Sequence, residues 1–162
     1  VRVWLGIDVG LSGAAACINE NGELVVHDTP TLEVGKGRRG YDVGAMADIL
    51  EDLVSYGDSA QRVCALELVH SMPKEGVRSA FSFGCGFGIW QGLLVGLRIP
   101  YELVTPQAWK KLLLNGQPKE KGASILKAKQ LFPNAPLTLK KHHNRADAIL
   151  LAEFCRRTTR GG

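Results

Sequence analysis

GIDVGLSGAA, residues 6–15, decides how this chain is read. It follows the apolar run Val1-Arg2-Val3-Trp4-Leu5 and so forms the end of a buried strand carrying Asp8. A carboxylate in an apolar strand is costly unless a hydrogen-bond network or a cation compensates it. Gly10 and Gly13 permit a tight turn or close approach of a phosphate, and Ala14 to Ile18 returns to strand-like composition, which predicts a hairpin. Two further acids sit in comparable company: Glu67 in RVCALELVH (62–70) and Asp147 in NRADAILLAEF (144–154). The three carboxylates are expected to meet around a divalent metal.

Outward from this stretch, the 162 residues are expected to form a single domain spanning 1–162, with 45% hydrophobic and 22% charged residues, ordinary for a globular protein. Val1 falls inside a strand-like run, so the chain is expected to be trimmed or processed, and no signal-peptide pattern opens it. Cys17, Cys64, Cys85 and Cys155 are scattered through apolar segments without a CxxC pair, and read as reduced core residues. The net charge of +4 is unevenly spread. Residues 1–97 hold 7 Lys/Arg against 12 Asp/Glu, whereas residues 98–162 hold 13 against 4. A basic C-terminal third points to a polyanion partner.

Asn21-Gly22 signals a turn into a third strand, Glu23 to Asp28, ended by Pro30. GKGRRG (35–40) lacks the spacing and the Ser/Thr of a phosphate-binding P-loop, and is expected to be a mobile basic loop. Tyr41 to Tyr56 carries apolar residues at helical spacing, with Asp42 as cap and Gly57 as stop. Val63 to Val69 is a strand, apolar apart from Glu67, and a helix between two strands implies a parallel pair. Residues 79–97 run nineteen positions without a charge. That is long enough for a transmembrane helix, but two Ser, Gln91 and five Gly argue against one. Gly84, Gly88, Gly92 and Gly96 form one row along this helix, and are expected to pack closely against the sheet or, preferably, a second subunit. Ile99 to Val104 is the last strand. Helices follow from Thr105-Pro106 to Leu114, from Gly122 to Leu131 and over 144–157. The fold class is therefore α/β, a mixed sheet of about five strands flanked by helices.

His143 precedes Asp147 by four residues and shares its helix face. Carboxylate oxygens with one imidazole suit Mg²⁺ or Mn²⁺ better than zinc. Two such ions about 4 Å apart can activate water and stabilise the leaving oxygen in phosphodiester cleavage.

GIDVGLSGAA, ALELVHSMPKEGV (65–77), FGIWQGLL (87–94), YELVTPQAWKK (101–111) and HNRADAILLAEF (143–154) together resemble the RuvC-type Holliday junction resolvases, in the branch with bacterial, phage and plant monokaryotic-chloroplast members. The resemblance spans nearly the whole chain. It implies a ribonuclease H-like fold, a homodimer and metal-dependent symmetrical nicking of four-way DNA junctions, with two ions per active site. Asp8, Glu67 and Asp147 match the family's acids of the first strand, central strand and last helix, and His143 sits where the family carries a further Asp or His. Val9 stands where many relatives have Pro, and Lys74-Glu75-Gly76-Val77 where GQGV is usual. The dimer contact falls to the row Gly84, Gly88, Gly92 and Gly96. Phosphate contacts are expected from Lys74, Arg78, Lys110, Lys111, Lys119, Lys121, Lys127, Lys129, Lys140, Lys141 and Arg145. Neither a membrane nor a nucleotide cofactor is expected. The compartment would be cytoplasm or nucleoid for a bacterial or phage protein, or chloroplast after transit-peptide removal. As an alternative, GIDVGLSGAA also resembles the phosphate loop of actin-like sugar kinases and chaperone ATPases, but 162 residues cannot hold their second domain.

Overall fold

The computed structural model describes residues 1–70, 72–117, 119–120 and 122–159. Its main sheet is built from β1 (Val3–Asp8), β2 (Ala14–Asn19), β3 (Leu24–Asp28), β6 (Arg62–Glu67) and β7 (Tyr101–Val104), ordered β3-β2-β1-β6-β7. β1, β2 and β3 pair antiparallel through short turns, whereas β1, β6 and β7 run parallel. The mixed five-stranded sheet expected from sequence is therefore present. Connections between parallel strands need crossovers, supplied by α1 (Val43–Ser55) and α2 (Val77–Gly96). α3 (Pro106–Leu113), α4 (Ala123–Leu131), a single 3₁₀ turn at Lys140–His142 and α5 (His143–Thr159) complete the chain.

The period-2 alternation of the strands divides the interior into two cores. Val3, Leu5, Ile7, Ala15 and Cys17 face α1 and α2, meeting Met46, Leu50, Leu53, Trp90 and Leu94. Trp4, Ala14, Ala16 and Ala65 face α3, α4 and α5, meeting Trp109, Leu113, Ala128, Ala148, Leu151 and Cys155. The cysteines are free, and burial pushes the Cys17 and Cys155 thiols up to about 12. Capping follows the sequence reading: Asp42 Oδ1 accepts from the Ala45 N–H at 3.1 Å, and Thr105 Oγ1 from the Ala108 N–H at 3.2 Å, with Pro106 at the first helical position.

Two expectations are corrected. The segment read as a mobile loop at 35–40 belongs to an antiparallel hairpin, β4 (Thr31–Gly35) with β5 (Arg38–Tyr41). Gly37, at φ +66°, makes its turn, and Arg39 fastens it by donating from Nε to Thr31 Oγ1 at 2.7 Å and from NH2 to Thr31 O at 2.8 Å. The glycine row of α2 does not pack on the sheet: a Cβ at Gly84, Gly88, Gly92 or Gly96 would meet nothing within 4 Å. The close approach on this helix is at Gly86, where a Cβ would collide with the Tyr41 hydroxyl. Among the described residues no helix is long and apolar enough to cross a membrane.

α5 packs on β1 at backbone distance. A Cβ on Gly6 would collide with the backbone of Ala148 and Ala152, so the helix backbone lies directly on the strand. Gly6→Ala is therefore expected to force α5 away, with overpacking of ~1–3 kcal/mol lowering the melting temperature by roughly 2–12 °C. Thermal melts followed by circular dichroism would check this; an unchanged midpoint would contradict so tight a contact.

Candidate active site

Parallel pairing of Ile7 with Leu66 brings the C-terminal ends of β1 and β6 together, and with them Asp8 and Glu67. Crevices at the carboxyl ends of parallel strands are where such sheets place ligand sites. α5 lies across the same end and adds Asp147, immediately before the Ala148 that rests on Gly6. Asn144 fixes the start of α5 by donating from Nδ2 to Ser12 O at 2.5 Å.

Asp8 is buried, and its carboxyl is held well above the usual range, first by desolvation, then by the charges of Asp147 and Glu67. A hydrogen bond joins it to Glu67. Desolvation also raises Glu67, against a lowering hydrogen bond from Trp109, whose Nε1–H donates to Oε2 at 2.8 Å. Asp147 is likewise raised by burial and lowered by a hydrogen bond from Ser124. Lys110 lowers all three electrostatically.

Two clefts open on these acids. One, of about 620 Å³, is lined by Asp8, Glu67, Gly10, Ser12, Arg38, Arg39, Tyr41, Arg78, Phe83 and Asn144. The other, of about 990 Å³, is lined by Asp147, His143, Ser124, Gln107, Lys110, Lys111 and Lys119. His143 is exposed and shares the second cleft with Asp147, away from Asp8 and Glu67. The donor set suits a hard divalent cation: it is dominated by carboxylate oxygens, and Asp147 Oδ1 is buried without a hydrogen-bond partner among the described residues. Among the described residues no three such side chains close into a finished ligand cage; Asp8 and Glu67 line the first cleft and Asp147 the second.

Of the basic residues expected to meet phosphate, Arg78, Lys110, Lys111 and Lys119 line the clefts. Lys74, Lys127, Lys129, Lys140 and Lys141 lie outside both linings, and Lys121 lies outside the described residues. Arg145 is paired within the chain. Its Nε and NH2 donate to Asp28 Oδ1 and Oδ2 at 2.7 and 2.8 Å, and NH1 to Pro136 O at 3.0 Å. Arg38 and Arg39 reach the first cleft because their segment is a hairpin, and the sequence carried only their basicity as a signal. Trp109 and Ser124 had no signal beyond their place beside Lys110 and before the second basic run.

Among solved structures, the fold matches RuvC of T. thermophilus in complex with a Holliday junction substrate, at TM-score 0.66 and 16% identity, covering 98% of this chain and 97% of that one. A second structure of Thermus thermophilus RuvC gives 0.63 at 21% identity, covering 97% and 96%. The fold is thus the ribonuclease H-like fold expected from sequence. Among curated proteins, 91 residues are 35% identical to the chloroplastic Holliday junction resolvase MOC1 of Chlamydomonas reinhardtii. They make up 55% of this chain and 10% of the algal protein, so the match spans about a tenth of that relative's length. No family model matches the chain.

Raised carboxyls give the metal-free protein a defined pH dependence. Between the ordinary carboxyl range near pH 4 and the raised folded values, the folded state binds protons that the unfolded chain has released. Stability therefore falls as pH rises through that window. Asp8→Asn removes one member of the buried like-charge cluster. In EDTA it is expected to melt above wild type at about pH 8, with the difference closing towards about pH 4. A lower midpoint than wild type at about pH 8 would contradict the like-charge account.

Proposed function

We propose that this chain, RuvC-like in sequence and fold, acts as a single nuclease domain that resolves four-way DNA junctions as a homodimer. The observation that carries the reading is the set of electrostatically linked acids from β1, β6 and α5 lining two clefts that also carry basic side chains. The name of the algal relative supports a junction substrate over the ATP-binding alternative, and its chloroplastic description favours the organelle among the possible compartments.

Asp8, Glu67 and Asp147 would hold Mg²⁺ or Mn²⁺, two ions in each site, with His143 beside Asp147. Bound ions would supply an ionised water and charge stabilisation at the leaving oxygen. The residues do the rest. Arg38, Arg39 and Arg78 would hold the phosphodiester strand in the first cleft, and Lys110, Lys111 and Lys119 in the second, so that the scissile phosphate lies over the carboxylates. Lys74, Lys127, Lys129, Lys140 and Lys141 would meet outlying phosphates; such contacts position the duplex without reading its sequence.

Symmetrical cutting needs two sites at fixed spacing. The bare face of α2 offers the contact: Val77, Phe81 and Val95 are exposed beside Gly84, Gly88, Gly92 and Gly96. A Cβ at Gly88 would meet nothing within the chain, and leucine is the better helix former, so a loss of association would not come from a weakened helix. Gly88→Leu is expected to run as a folded monomer on sizing, and to lose paired cuts before single nicks. A Gly88→Leu protein that remained dimeric would remove this face from the interface.

The function is tested on a gel, with a four-way junction against linear duplex of the same sequence, in Mg²⁺ and in EDTA. Paired, symmetrically placed nicks in the junction with Mg²⁺ alone are expected. Asp8→Asn, Glu67→Gln and Asp147→Asn should each abolish nicking and leave junction affinity within a few-fold of wild type. A variant still cutting at a tenth of the wild-type rate would exclude that residue from the metal site. Binding should weaken with salt, at a slope of log K against log salt near −5 if about six phosphates are neutralised.

A further inference from the structure

Glu67 differs from its two partners in length, and the structure tethers it. Asp8 and Asp147 have short side chains carried by a buried strand end and a helix packed on that strand. Glu67 has one more rotatable bond, it stands at the last position of β6, and the charge of Asp147 pushes on it. Left to itself, such a side chain would swing into the open cleft beside it. Besides the hydrogen bond it shares with Asp8, one side chain from outside the acid cluster opposes this. Trp109 is fully buried in the core beneath α3, and its Nε1–H reaches Glu67 Oε2 at 2.8 Å.

The backbone makes this reach rigid. Val104 pairs with Glu67 across the β6–β7 ladder. Thr105 then caps α3, Pro106 opens it, and Trp109 lies within its first turns. The donor and its acceptor are thus joined through a strand pairing and a capped helix, with no loop between them. Indole is a donor only: it cannot ligate a cation or exchange a proton with substrate. A buried indole N–H usually takes an acceptor, though that of Trp90 takes none among the described residues, and for Trp109 that acceptor is a carboxylate of the acid cluster. Lys110, with Nζ 5.4 Å from the Trp109 ring centroid, is carried towards the acids by the same helix turn.

We propose that Trp109 is a positioning residue, which holds Glu67 by one oxygen so that the other stays aligned with Asp8 and Asp147, and thereby sets the affinity of the acid cluster for divalent cations. This rests on the reading of the cluster as a metal site. Outer partners of metal-binding carboxylates typically carry a 10–100-fold effect on affinity or activity.

The test uses Mn²⁺ titrated into the full chain by calorimetry, wild type against Trp109→Phe, which keeps an aromatic ring and deletes the N–H. Wild type is expected to bind, and Trp109→Phe to bind about 10-fold more weakly, with a metal-free melting curve close to wild type. At saturating junction DNA, kcat should fall by a similar factor while KM stays unchanged. Equal Mn²⁺ affinity in a folded Trp109→Phe protein would overturn the proposal. A wild type that binds no Mn²⁺ would instead overturn the metal reading of the cluster, and the proposal with it. Should Trp109→Phe fail to fold, the wild-type protein still decides. The Trp109 indole N–H resonance is expected to shift on adding Mg²⁺ and to move again in Glu67→Gln. A resonance indifferent to both would show that the bond has no connection with the cation.

Discussion

The backbone-on-backbone contact between α5 and β1 sets the rest of the structure. Glycine at position 6 leaves no atom between the strand and the carbonyl of Ala148, and Ala146, Ala148 and Ala152 keep the adjoining helix positions small and buried. At such short range helix and strand have one relative placement, so the acid before Ala148 has one position relative to the acid two residues after Gly6. Three further ties act along the same helix: Asn144 to Ser12 at its start, Arg145 to Asp28 one residue on, and Thr159 to the Trp4 indole at its end. Each joins α5 to the β1–β2–β3 meander. The contacts that hold the fold together are therefore also those that bring Asp147 to Asp8 and Glu67.

That placement opposes stability. Three carboxylates are drawn out of water, which raises each of them, and the charges of neighbouring acids add to this at Asp8 and Glu67. The surroundings offset this only in part: one indole N–H on Glu67, one hydroxyl on Asp147 and a single ammonium, Lys110, acting on all three. Asp147 Oδ1 is left buried and unpartnered among the described residues. A cluster serving only the scaffold would be completed from within, as Glu153 is. That acid is fully buried, yet Arg156 and Arg157 hold its carboxyl below the usual range. The same helix thus carries one acid completed by its own neighbours and, six residues earlier, one left open.

What the sequence made legible follows from range. Asp8 and Glu67 stand out because an acid in an apolar strand is anomalous within a few residues, and Asp42 and Thr105 announce their helices through contacts three residues away. Long-range facts were hidden. The pairing of Arg145 with Asp28 spans 117 positions, so nothing near Arg145 in the sequence announces it. The β4–β5 hairpin escaped because its strands are short and mostly exposed, without the apolar alternation that buried strands display. Trp109 lies at a helical core position, and nothing in its neighbours tells which way the indole N–H points.

The glycines of α2 separate two uses of the same residue. Gly86 is required from within, because the Tyr41 side chain occupies the space of a Cβ and its hydroxyl donates to Ser82 O on the same helix. Gly84, Gly88, Gly92 and Gly96 are required by nothing inside the chain, yet each costs the helix about 1 kcal/mol relative to alanine. The helix faces the sheet through Gly86, Trp90 and Leu94, with the row on its exposed side. A run of four such positions leaves α2 weaker than its packing needs, and the chain draws no contact from them. A second helix backbone would make use of their smallness, since residues without side chains allow two helices to meet at backbone distance. Two copies joined along this face would bury the exposed Val77, Phe81 and Val95 with the glycines, and so supply the contact that the single chain lacks.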